Sequence, residues 1–150
     1  MELKLKIGVG ELVFGMKENQ CKEILGEPNR EWFDEQDISE KLVEFNAHKI
    51  CLTFYGQEEN RMGYLRTSNP NLRFNGMSII DQKIEVVINE VFKDIISDWE
   101  VENYNSWFAY FNEENWLNLS VEFGAVVKIE LGVSLANNED YDWPLIEKNG

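Results

Sequence analysis

The sequence predicts an α+β domain in which a curved, mostly antiparallel sheet carries its helices on one face. Three observations predict it. Apolar residues alternate with polar ones at Ile50, Leu52 and Phe54, at Leu117, Leu119, Val121 and Phe123, and at Val127, Ile129, Leu131 and Val133, which is the period of strands with one buried face. Helical spacing holds instead at Cys21, Ile24 and Leu25, and over Ile80, Ile84, Val87, Ile88, Val91 and Phe92. Finally, Leu12-Val13-Phe14-Gly15-Met16 is answered by Leu72-Arg73-Phe74-Asn75-Gly76-Met77. One domain built from two related strand-helix-meander units, about 1–70 and 71–135, with an acidic tail over 136–150, accounts for all three.

Taken in order, Met1 to Val9 alternates Leu3, Leu5, Ile7 and Val9 against polar residues and predicts a half-buried strand. Gly15 permits a turn into a short helix. Gly26 ends that helix and Pro28 lies where no helix can continue. Asn29 to Glu40 is expected to be an irregular acidic connection whose Trp32 and Phe33 tuck onto the core. Strands over Lys41–Asn46, Lys49–Tyr55 and Arg61–Thr67 complete the first unit. In the second, Ser78 is the expected N-cap of a helix running to about Lys93 or Ile96, and Ile96 to Asn105 is its acidic connection. Strands containing Phe111, then Leu117 to Phe123, then Val127 to Val133 follow. The tail is expected to be loose except where Tyr141, Trp143 and Pro144 anchor it.

A chain of 150 residues buries roughly 68–70% of its unfolded surface, enough for one core without metal or disulfide staples. Its 14 basic residues against 28 acidic ones leave a net charge of −14, which opposes nucleic-acid phosphate and anionic membranes and suits a basic protein partner. No apolar run approaches the ~20 residues that span a bilayer, and no secretory signal opens the sequence, so a cytoplasmic protein is expected. Cys21 and Cys51 lack metal spacing and read as small buried side chains. His48, the one histidine, falls at a predicted turn without a second ligand nearby. Glycine-rich phosphate loops and nucleophile elbows are absent. Glu58-Glu59 and Glu113-Glu114 fall in predicted turns, where solvation makes them surface charge rather than catalytic dyads. Neither catalysis, nor a cofactor, nor a metal is therefore expected.

Phe14-Gly15-Met16 followed by Leu25-Gly26-Glu27-Pro28 resembles the "Gly-Met … Leu-Gly-x-Pro" signature of the BamE-like lipoproteins and the beta-lactamase-inhibitor proteins. The resemblance to the inhibitors implies tandem helix-plus-sheet units whose curved sheet grips a protein partner. In character, as a small, acidic, aromatic-rich protein, the chain is similar to the immunity proteins that protect bacteria from toxins, which implies a cognate toxin as partner.

The candidate partner-binding residues are aromatics interleaved with acids. By alternation Trp116 and Glu122 face away from Leu117, Leu119 and Val121, and Tyr55 faces away from Leu52 and Phe54. Trp107 and Tyr110 lie on a neighbouring strand whose core side the pattern leaves open. Asp98, Trp99, Glu100, Glu102 and Tyr104 come from the second connection, and Glu113 and Glu114 from a turn. Rings would supply buried area and carboxylates would steer a basic partner. Equally, Trp107, Tyr110 and Trp116 could be covered by the tail or by a second copy of the chain. A small enzyme or ligand-binding domain, with a pocket between the sheet and Ile96–Asn105, is the alternative function, and a homo-oligomeric scaffold is a third.

Overall fold

The structure, a computed structural model, describes residues 1–136 and 140–144; the expected loose tail at 137–139 and 145–150 lies outside the described residues. The amino end corrects the first expectation. In place of one strand there are three, β1 (Leu3–Lys4), β2 (Gly8–Val9) and β3 (Leu12–Val13), each pairing with the next. Lys6 turns the chain with φ 67, Leu3 comes to face Val9 across the pair, and Ile7 is thrown outward to 40% exposure. Alternation ran on through a residue that reverses the backbone.

The first helix, α1 (Glu18–Leu25), forms where expected and turns Cys21 into the core. Gly26 ends it at φ 86, its N–H donating to the Lys22 carbonyl at 2.8 Å. A strand then occupies part of the expected loop: β4 (Arg30–Phe33) pairs antiparallel with β5 (Glu40–Phe45). Neither aromatic of β4 is buried in the core. Arg30 lies 4.2 Å from the centre of the Trp32 ring, and Phe33 is 59% exposed. After β5 come β6 (Ile50–Tyr55) and β7 (Arg61–Thr67), close to their expected places.

In the second half a hairpin, β8 (Arg73–Phe74) and β9 (Met77–Ser78), stands where a helix start was expected. Asn75 and Gly76 both adopt positive φ, 50 and 79, as two-residue hairpin turns require. Ser78 is therefore a strand residue, and the helix begins only at α2 (Ile84–Val86), continuing as a π-helix over Val87–Val91. The expected connection also contains a strand, β10 (Glu100–Asn103), followed by β11 (Phe108–Asn112), β12 (Leu117–Glu122) and β13 (Ala125–Gly132).

Eight of these strands, β4–β7 and β10–β13, make one antiparallel sheet in the order β10-β11-β12-β13-β7-β6-β5-β4. It consists of two four-stranded meanders joined through their final strands, with Leu65 of β7 opposite Leu131 of β13. Across that junction runs a fully buried row, Val43, Leu52, Leu65, Leu131 and Leu117. Cys21 of α1, Val87 and Val91 of the π-helix, and Phe92 belong to the same apolar cluster. The opposite face carries a second row, Arg30, Glu44, Cys51, Arg66, Glu130, Asn118, Phe111 and Glu100, one residue from each strand. Such a polar row marks the sheet face that the helices leave uncovered. Among the described residues, no helix is long and apolar enough to cross a membrane.

Candidate protein-binding surface

The turn joining β10 to β11 is closed by backbone and side chain alike. Tyr104 N–H donates to the Trp107 carbonyl at 2.9 Å, and Asn105 N–H donates to Asn103 Oδ1 at 2.8 Å. Asn105 takes φ 71, a conformation asparagine tolerates better than most residues. This closure stacks the Tyr104 ring on the Trp107 indole, with centroids 4.5 Å apart and planes 14° from parallel. The Tyr104 hydroxyl donates to the Glu102 carboxylate, and that bond raises the phenol's pKa. Tyr104 remains 46% exposed, and Glu102 projects from the edge strand beside it, whereas Glu100, opposite Phe111, lies towards the other end of β11.

Glu122, at the far end of β12, lies at the same end of the sheet, since Phe108 pairs with Val121. The other acids do not. Asn112 Nδ2 donates to the Asp98 carbonyl at 2.9 Å, and Asn112 Oδ1 accepts from both nitrogens of Asn115. Those bonds hold Asp98 beside the turn carrying Glu113 and Glu114, roughly 15 Å away along the five residues of β11. The expected residues thus divide between two ends of the sheet rather than forming one patch.

Trp116 sits in that second turn, at φ 47, rather than within a strand. It still reaches the uncovered face, where it meets Phe111 edge-on at 5.3 Å. With Asp34, Glu40, Leu42, Thr53, Tyr55 and Tyr64 it bounds a cleft of about 300 Å³. Burial, with Glu130 close by, pushes the Tyr64 phenol up. Tyr55 is pushed up by burial and by Tyr141. The tail lies over Tyr55, placing Tyr141 at 5.5 Å and Trp143 at 6.5 Å from its ring. Covering by the tail therefore falls on Tyr55, while Trp116 stays 37% exposed.

Two expected contact residues face the core side. Tyr110 stands opposite Leu119, whose side chain is fully buried, and packs against the core cluster. Trp99 packs against Phe92 at 5.9 Å, with Nε1 buried and without a partner. Phe111, Tyr64 and Trp32 replace them on the uncovered face. Phe111 was within reach of the sequence, as the neighbour of Tyr110 on the other side of the pleat. The remaining candidates are quickly placed. Cys21 and Cys51 are free and buried. His48 lies in a 3-10 turn, its Nε2 3.1 Å from the Leu25 carbonyl at the end of α1. Among the described residues, no group of three or more His, Cys, Asp and Glu side chains is placed to hold a metal.

The sequence matches no family model and no curated protein. The fold is similar to that of an extracellular protein containing an SCP domain from Bacillus anthracis str. Ames, known from a crystal structure, with a TM-score of 0.52 and 14% sequence identity. The likeness covers 87% of this chain and 49% of that one, so this chain spans about half the length of the solved structure it matches. At that identity the two share a fold.

Proposed function

We propose that this chain is an acidic protein-binding inhibitor, an immunity protein that neutralises a bacterial toxin by occluding its basic active site. The observation that carries the reading is the stacked Tyr104–Trp107 pair, its tyrosine exposed and its tryptophan half-buried, with Glu102 beside it on a free sheet edge. A rigid aromatic pair supplies contact area at little entropic cost, and acids around it favour a basic partner and disfavour others. Nucleases, whose clefts bind phosphate, are the toxin class this chemistry fits. We also infer that the meanders β4–β7 and β10–β13 derive from one duplicated unit, a reading supported by their matching strand order about the β7–β13 junction. On this proposal the chain acts in the cytoplasm. The similar protein is described as extracellular, so cell fractionation is an early check.

The test is a titration of the purified chain against a basic protein encoded beside it, read by calorimetry at two salt concentrations and by inhibition of the toxin. One-to-one binding that weakens with salt is expected. Replacing Trp107 or Tyr104 by alanine should cost about 2 kcal/mol or more, and any single acid less. No binding, or an affinity indifferent to salt, overturns the proposal. A ligand-binding domain is the second reading, favoured by a cavity on the uncovered face away from Tyr104.

A further inference from the structure

In a chain with twice as many acids as bases, a concave patch dominated by cations needs a cause. One lies on the uncovered sheet face, in a cavity of about 390 Å³ between the turn that precedes β6 and the strands β7 and β13. Lys49, Arg66 and Lys128 line it, with Ser68 and a single carboxylate residue, Glu44. Its floor includes Cys51 and Ile50, both buried.

Strand register alone would neutralise Arg66, because Glu130 stands directly opposite on β13. Glu130 is engaged elsewhere: it accepts from Asn118 Nδ2 at 3.1 Å. Among the described residues, ion pairs within 4.0 Å use only the cations Lys22, Lys41 and Arg61. Among the described residues, Lys49, Arg66 and Lys128 therefore line one cavity with no carboxylate oxygen within 4.0 Å of their charged nitrogens. The rim is also held in place. Lys49 adopts φ 52, and its carbonyl accepts from Thr67 Oγ1 at 2.8 Å and from Ser68 N–H at 3.1 Å. Those two bonds tie the turn before β6 to the end of β7.

We propose that this groove binds a small organic anion with at least two anionic oxygens, a dicarboxylate or a phosphate monoester. Arg66 presents a planar fork that matches a pair of such oxygens, and Lys49 and Lys128 add flanking point charges. The volume falls near the lower end of small-ligand sites, ~300–1,000 Å³, and the apolar floor fits a short carbon skeleton. The site stands apart from Tyr104 and Trp107 and does not depend on the inhibitor reading.

The test is an NMR titration of the whole chain with succinate and, separately, with glycerol phosphate, at ionic strength held constant with sodium chloride. Saturable shifts at the amides of 49–51, 66–68 and 128 are expected with at least one probe, and the probe that saturates names the ligand class. Arg66→Gln should weaken that binding about tenfold, while Lys6→Gln, in the distant β1–β2 turn, leaves it unchanged. If Arg66→Gln does not fold, Lys128→Gln at the rim should weaken binding about threefold. Shifts that stay linear with both probes, or that are equal in the Arg66 and Lys6 variants, overturn the proposal.

Discussion

The indole of Trp116 lies directly over Gly132: a methyl group at that glycine would sit 2.2 Å from Trp116 Cδ1 and 3.1 Å from Tyr64 Cδ2. The Gly132 N–H also donates to the Trp116 carbonyl at 2.9 Å. The exposed ring is thus seated by the absence of a side chain on the neighbouring strand. Gly132→Ala should cost about 1–3 kcal/mol through overpacking, measured by urea denaturation. If Trp116 contributes to partner binding, the same substitution should weaken binding nearly as much as Trp116→Ala does, because it moves the ring without removing it.

Glu18 and Lys41 join α1 to β5 at 2.9 Å, within a cluster where Lys22 also meets Glu18 at 2.8 Å and both lysines reach Glu31. Burial pushes the Glu18 carboxyl up, but hydrogen bonds from Lys22 and Lys41 outweigh it and hold the pKa at about 2. A carboxyl lowered on folding adds stability that is complete above its unfolded pKa and is lost as pH falls through the folded value. Glu18→Gln should therefore cost about 1 kcal/mol near neutrality, after allowing for solvent screening. Denaturation curves of wild type and variant should converge between about pH 4.5 and pH 2. A constant gap across that window would show that the charge is not the source.

Leu65 and Leu131, both fully buried, carry the apolar contact where the two meanders meet. Leu65→Ala should cost about 2–5 kcal/mol. If the eight strands share one core, unfolding of the variant stays a single transition by both circular dichroism and tryptophan fluorescence. Two separated transitions would mean that the meanders fold as independent units.

How far the fold was legible depends on which signal each strand carries. β6, β12 and β13 announce themselves because Leu52, Leu119 and Ile129 alternate with polar neighbours. β4 and β10 do not, since Arg30-Glu31-Trp32-Phe33 and Glu100-Val101-Glu102-Asn103 are edge strands that bury almost nothing, and their composition reads as loop. Asn75-Gly76 was legible as a hairpin turn, but Met77 beside it matched Met16 and drew the reading towards a helix. Tyr110 and Phe111 form a pair that alternation cannot orient when both sides are aromatic. Only the register against Leu119 and Asn118 does so. The cation groove was invisible because Lys49, Arg66 and Lys128 come from three separate elements.

The tail aromatics rest on Tyr55, whose ring in turn lies over Gly63: a methyl group there would sit 2.1 Å from Tyr55 Cε2. Other ties among the described tail residues include the Asp142 N–H donating to the Ser134 carbonyl at 2.8 Å and the Ala136 N–H donating to the Asp140 carbonyl at 2.6 Å. Gly63→Ala should therefore displace the Tyr55 ring and loosen the tail before it affects the sheet. Hydrogen exchange should quicken at Asp142 in this variant, while the amides of Leu65 and Leu131 keep their protection. Trp143→Ala should reproduce the faster exchange without the strain, leaving global stability within about 0.5–1 kcal/mol of wild type. If both substitutions leave Asp142 exchange unchanged, the tail is held by something other than its rings.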